Sequence, residues 1–253
     1  MSNGQLLSNI LSSMERLAKE FGLKFRGEAF SCLFVTKEDI VLRNFLGGCP
    51  EPDYNKFGGE KKENRLKNII LFTNSKEFLN HKRIPQGCVI SWFDAKQELK
   101  LAEKIPDTNL RKRMVRLYKN ILQHKRRCGS GLALVFKPIT KKEEKIVKGI
   151  LSHEFVHQLL NNNNIKFQRI SENAWKWDEG LCVYMDYFSA NRQNEFAKPP
   201  KPKAHLYGVY SEYAHKWYKL LKRAKSPEMR KLIILRQLDK LRKTKQSTTA
   251  PCV

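Results

Sequence analysis

The first residues repeat apolar side chains at helical intervals: Leu6, Ile10, Met14 and Leu17 share one side of a helix that runs to about Phe21. That period is the mark of an amphipathic rod. From 31 to 46, "SCLFVTKEDIVLRNFL" has the β-branched and aromatic content of strands,. Glycine, proline and charge make 47–65 a loop,. "KNIILFT" (67–73) predicts a buried strand, "SKEFLNHK" a short helix, and "GCVISWF" (87–93) and "ELKLAEKI" (98–105) two more strands,. Helical spacing returns within 107–127 at Leu110, Met114, Leu117, Ile121 and Leu122, and "GLALVFKP" (131–138) predicts a strand closed by Pro138,.

Helical patterning dominates from there on. Thr140 and Glu143 frame a capping box that starts a long helix, and the four asparagines 161–164 stop it,. Another helix is predicted from about Trp177–Asp178 to Ala190. "AKPPKPK" (197–203) is an extended basic linker, and two helices follow over 204–224 and 227–244,. No internal repeat is visible. A mixed sheet in the first half and helices in the second define an α+β fold.

The long helix carries His153-Glu154-Phe155-Val156-His157, an H-E-x-x-H pattern. Residues four apart share a helix face, so both imidazoles can address one cation, with Glu154 beside it as a proton acceptor. Zinc suits such ligands and keeps a coordination position open. Apolar neighbours (Ile146, Val147, Ile150, Leu151, Val156, Leu159 and Leu160) predict burial on nearly all sides of this helix. A satisfied core histidine accounts for one ring there, but poorly for His-Glu-His, because buried charge is costly unless paired or metal-bound. Glu179, twenty-two residues after His157 and in the first turn of the next predicted helix, is the third ligand the chain offers.

H-E-x-x-H, a gap of about twenty residues and then Trp177-Asp-Glu179-Gly-Leu-Cys-Val-Tyr-Met-Asp186 resembles the gluzincin metallopeptidases. The aminopeptidase N type and the small peptidase MA-like domains place their third ligand in N-E-G-[FL]-A-x-x-x-E. The resemblance spans 131–220; the first 60 residues match no motif. It implies a zincin-like domain with one Zn2+ per chain on His153, His157 and Glu179. Glu154 would be the general base and acid of peptide hydrolysis. Asp186 would be the carboxylate that orients a ligating histidine. Asp178 stands where the family has asparagine, and Cys182 where it has alanine; a small buried thiol or a fourth ligand are the two readings of Cys182. Relatives steady the oxyanion with a downstream tyrosine or histidine. Tyr210 and Tyr207 are the first choices, the other reading being an aromatic core face under the active-site helix. Strand 131–136 or a neighbour would bind substrate as an added strand. The absence of a G-x-M-E-N-type sequence favours endopeptidase over aminopeptidase activity. The expected division is 1–130 as helix and β-rich upper part, 131–203 as zinc-binding core, and 204–253 as basic helices and tail.

Composition adds a second theme. With 41% hydrophobic residues the chain can bury a core, yet 49 Lys+Arg against 25 Asp+Glu leave a net charge of +24. Residues 106–127 hold eight basic residues and one acidic, and 216–245 hold twelve and two. Such helices attract polyanions, non-specific nucleic acid among them; the plainer reading is a solubilising surface. A basic nucleic-acid-associated protein with a zincin fold, or a protease of nucleoprotein substrates, is therefore the alternative to a peptidase acting on ordinary proteins or peptides. Six scattered cysteines without C-x-x-C fit reduced thiols,. No segment predicts a membrane span or secretory signal, so a cytoplasmic setting is expected.

Overall fold

A computed structural model describes residues 3–47, 62–83, 87–124, 131–167, 172–190 and 208–248. By packing, the chain divides into two compact units, one of Glu28–Leu151 and one joining Met1–Gly27 to Ser152–Val253. The divisions drawn from the sequence fall instead at 130/131 and 203/204. Among the described residues helices dominate, beside one small mixed sheet.

In the unit Glu28–Leu151, local capping chemistry starts most helices. Thr36 and Asp39 cap each other's backbone amides (Asp39 N to Thr36 Oγ1 3.1 Å, Thr36 N to Asp39 Oδ2 3.4 Å) and open α2, Lys37–Gly47. After α3 (Lys62–Thr73), the Ser75 hydroxyl takes the Phe78 amide at 3.1 Å at the start of α4, Lys76–Arg83. Ser91 does the same for Asp94 before α5 (Trp92–Ala102), and Asp107 for Leu110 before α6 (Thr108–Gln123). Each such cap is worth about 1 kcal/mol. The three strands are β1 (Cys32–Val35), β2 (Cys88–Ser91) and β3 (Gly131–Phe136), in the order β1-β3-β2. β3 runs parallel to β1, with Cys32 opposite Ala133, and antiparallel to β2, with Cys88 opposite Leu134. Every residue of β3 is buried. Against the sheet lies an apolar core in which Phe45 stacks on Phe72 at 4.3 Å and Phe78 meets Phe72 edge-on at 5.4 Å. Arg43 forks onto Glu98 at 3.0 and 3.1 Å.

Three sequence expectations fail here, for one reason. Segments 37–46, 67–73 and 98–102 are helical, not extended. In "KNIILFT" Ile69 and Phe72 are buried, whereas Ile70 and Leu71 are 43% and 64% exposed. An apolar run that reads as a strand buried on both faces is thus a helix with one buried side. α5 buries Ala95, Glu98 and Ala102 at helical spacing, although Leu99 and Leu101 alternate with polar residues. The substrate-strand expectation changes too: β3 is central, and both its edges are already paired.

α1 (Asn3–Glu20) belongs to the other unit and buries Leu6, Ile10, Met14 and Leu17, the stripe its sequence predicts. It ends in a Schellman turn: Leu23 N bonds Ala18 O at 2.8 Å, and Gly22 takes φ of 62°,. A side chain at Gly22 would strike the Pro227 carbonyl at 2.9 Å. α7 (Lys141–Asn162) starts at the expected box, with Glu143 N to Thr140 Oγ1 at 3.2 Å and Thr140 N to Glu143 Oε2 at 3.3 Å. Its end explains the asparagine run. Asn164 sits at φ 61° as Ile165 N bonds Leu160 O at 2.9 Å, and Asn163 clasps the backbone of Lys24 through Oδ1 (2.8 Å) and Nδ2 (3.0 Å). Ile146 and Ile150 are only half buried, so all-round burial holds for the later turns, Glu154 to Leu160, and not the earlier ones. α8 (Glu172–Ala190), α9 (Gly208–Leu221) and α10 (Pro227–Thr248) complete the unit. α8 begins well before Trp177, which puts Glu179 two turns inside the helix,. No described helix is long and apolar enough to cross a membrane, and Cys32, Cys88 and Cys182 are free thiols.

Candidate metal centre

Two helices of one unit build the site. The later turns of α7 supply His153, Glu154 and His157; α8 supplies Asp178, Glu179 and Cys182. Gly180 sets how tightly α8 can be held. A Cβ there would lie 2.3 Å from Tyr213 Cβ and 2.7 Å from the Tyr213 carbonyl carbon, so α9 rests directly on α8 beside Glu179,. Indole and phenol rings extend that contact. Trp177 meets Tyr213 and Trp217 edge-on at 5.3 and 5.2 Å, and Trp217 Nε1 donates to Trp177 O at 2.8 Å.

On this scaffold His153, His157 and Glu179 converge. The two Nε2 atoms are 3.2 Å apart, Glu179 Oε2 is 3.2 Å from His153 Nε2, and Oε1 is 3.5 Å from His157 Nε2. A tetrahedral ion with bonds of about 2.0–2.1 Å separates its ligand atoms by about 3.3–3.4 Å, so the donor triangle has the right edge length for zinc. The donor set, two imidazoles and a carboxylate, has the right chemistry. His157 is the anchored member, its side chain 5% exposed, whereas 20% of His153 and 15% of Glu179 are open. Access is therefore from the side of His153.

Charge balance holds the carboxylate ready. Burial would raise the pKa of Glu179, but the charge of His157 and hydrogen bonds from His153 and His157 hold it well below the usual carboxylate range. Burial would lower His157, yet the facing Cys182, Glu179 and Asp178 keep it well above an ordinary histidine. His153 follows the same pattern: burial opposes charge, and the Glu179 hydrogen bond, with the charges of Glu179 and Glu154, raises it in spite of the like charge of His157. Glu154 itself is buried, 7% exposed, next to the ring whose titration it influences.

The far nitrogen of His157 reveals a residue the sequence left without a role. Nδ1 lies 3.2 Å from Asp178 Oδ2 and 3.2 Å from Cys182 Sγ. A carboxylate on the outer nitrogen fixes the tautomer that points Nε2 at a metal. The orienting carboxylate of His157 is thus Asp178. Asp186, expected in that part, takes its hydrogen bond from the Ser152 hydroxyl at 2.5 Å and ties α8 to α7 beside His153. Burial raises the Asp186 pKa, and that hydrogen bond opposes the rise. Asp178 and Cys182, four residues apart, share one face of α8,. Cys182 is fully buried, and burial pushes its thiol up. Its Sγ also falls with His157 and Asp178 in a second group of donors close enough to share an ion.

Tyr210 packs edge-on against Trp175 at 5.4 Å, while Tyr207 lies outside the described residues. Tyr210, Tyr213 and Trp217 all pack against the tryptophans of α8, Trp217 fully buried and the two tyrosines half-buried. Tyr213 is the tyrosine that abuts Gly180. No family model, curated protein or solved structure gives a significant match to this chain.

Proposed function

We propose that the chain is a zinc-dependent metallopeptidase of the gluzincin kind that cleaves within polypeptides. The single observation behind this reading is the triangle of His153 Nε2, His157 Nε2 and a Glu179 carboxylate, with edges of 3.2–3.5 Å. His153, His157 and Glu179 would hold one zinc ion, which when bound supplies Lewis acidity toward a water and a scissile carbonyl. Glu154 accepts the proton of the attacking water and passes it to the departing amine. Asp178 keeps Nε2 of His157 facing inward, and Asp186 with Ser152 steadies the turn that carries His153. Tyr210 is the proposed hydroxyl donor to the oxyanion. Free thiols at Cys32, Cys88 and Cys182 suit work in the reducing cytoplasm,.

Metal analysis of the purified chain tests the ligand set. One zinc per chain is expected, falling sharply in Glu179→Ala. Glu154→Gln should retain zinc and lose hydrolysis of an unfolded protein such as casein. Undiminished zinc in the first variant, or undiminished cleavage in the second, ends this reading.

A further inference from the structure

An open groove of about 1050 Å³ in the unit Glu28–Leu151 has six basic and two acidic side chains on its walls. Both acids are already spoken for. Glu38 accepts from Lys82 and, at 2.6 Å, from Arg113, and Asp39 takes Arg113 Nε at 2.6 Å. Arg113 Nη2 completes the set on Thr36 Oγ1 at 2.9 Å, so this arginine is a fixed wall and not a free cation. Lys37 pairs with Glu143.

What remains is a row of cations without counter-ions. Lys112 and Arg116 stand one turn apart on the exposed face of α6, followed a turn later by Asn120, and Lys137 follows the end of β3. Among the described residues none of these three cations forms an ion pair. Side chains four apart on a helix are separated by about 6 Å along its axis, a stride comparable to that between successive phosphates of an extended strand. The same groove has an apolar lining: Phe34 and Val35 are half buried, and Ile139, two residues after Lys137, is 87% exposed.

We infer that this groove binds single-stranded nucleic acid, with Lys112, Arg116 and Lys137 on the phosphates and Phe34 and Ile139 against the bases. Both halves of the surface are needed for the assignment. A cationic row alone would suit any polyanion, but partly exposed apolar side chains on the same groove match a ligand that combines charge with flat unsaturated rings. A duplex keeps its bases stacked inside, and an acidic peptide has none. DNA and RNA single strands present the same chemistry. The inference stands apart from the peptidase reading.

The test is fluorescence anisotropy of a fluorescein-labelled oligothymidylate titrated with the full chain at several salt concentrations. Replacing Lys112, Arg116 and Lys137 together by glutamine should weaken binding about tenfold or more and make the salt slope shallower by about two, since each phosphate contact on a single strand contributes about 0.7. Phe34→Ala should weaken binding with the slope unchanged. An equal charge change on α10, by Arg236, Lys240 and Lys243 to glutamine, should leave most of the affinity. Unlabelled oligouridylate should compete as oligothymidylate does. The inference is overturned if the unaltered chain does not bind. It is equally overturned if the α10 variant loses as much as the groove variant, or if a duplex or polyglutamate competes as well as the single strand.

Discussion

Gly149 and Gly180 both lie inside helices, and alanine at the two positions should act with opposite signs. At Gly149, on an exposed turn of α7, a Cβ would meet nothing within 4 Å. The substitution there should stabilise by up to about 1 kcal/mol, the helix-propensity difference. At Gly180 the same gain is opposed by a Cβ 2.3 Å from Tyr213 Cβ, 2.7 Å from its carbonyl carbon and 3.0 Å from Ala214 N. None of those atoms can swing aside by a rotamer change. Reaching ordinary carbon contact of about 3.5–4.0 Å requires the helices to part by more than 1 Å. Overpacking of this kind costs about 1–3 kcal/mol, the upper end applying to backbone obstacles, so the net loss should be about 1–2 kcal/mol. Glu179 is the adjoining residue, and a displacement of that size is large against donor edges of 3.2–3.5 Å. Urea unfolding and zinc titration calorimetry on both variants supply the two readouts. Gly180→Ala should unfold at lower urea and bind zinc at least tenfold more weakly, while Gly149→Ala should gain stability and bind unchanged. If Gly180→Ala proves as stable as Gly149→Ala, the close approach of α9 to α8 and the reasoning built on it are wrong.

Asp178→Ala should weaken zinc about 10–100-fold by releasing the His157 ring, whereas Asp186→Ala, which frees only the Ser152 hydroxyl, should cost less; equilibrium dialysis against a chelator orders the two. Asn163→Ala removes three hydrogen bonds, two to Lys24 and one to Leu159 O at 2.9 Å. At about 0.5–1.5 kcal/mol each, reduced by exposure, a loss of about 1–2 kcal/mol is expected in urea unfolding. The pKa of Glu38 is lowered first by its hydrogen bond to Lys82 and then by Arg113. A carboxylate whose folded pKa is depressed stabilises above its unfolded value, near pH 4.3, and loses that contribution as pH falls through the folded value. Glu38→Gln should therefore destabilise at pH 6 and become equivalent to the unaltered chain in strong acid, as followed by circular dichroism across an acid titration.

The residues that converge were legible because helical spacing is rigid: His153 and His157 must share a face, wherever the helix is placed. Glu179 was legible through its place, twenty-two residues after His157 on the next predicted helix, and the Gly180 beside it is where α9 touches. The role of Asp178 was hidden by its adjacency to Glu179. Neighbours in sequence point about 100° apart on a helix, yet the two carboxylates reach opposite nitrogens of one imidazole, Nδ1 and Nε2, on opposite sides of the ring. Nothing in the spacing of α8 says that His157 lies between them; that follows only from how α7 and α8 pack.

For the fold, apolar runs misled where caps would have led. The pairs Thr36–Asp39, Ser91–Asp94 and Thr140–Glu143 share one spacing, a hydroxyl three residues before a carboxylate, and each starts a helix. Only the last was read as a start. The other two precede Val41-Leu42 and Leu99-Leu101, where β-branched content or strict alternation argued for strands. A cap decides such cases because it acts at nucleation, the costly step of helix formation, and supplies the orphan amides of the first turn before any side chain is buried. Hydrophobic pattern then chooses which face turns inward: the buried set in α5 is Ala95, Glu98 and Ala102, and the conspicuous leucines are left at its margins. A charged Glu98 can join that buried set only because Arg43 meets it with two hydrogen bonds from α2. A binary reading scores that position as polar and therefore outside, so the ion pair that makes it an inside position lies beyond any single-segment pattern.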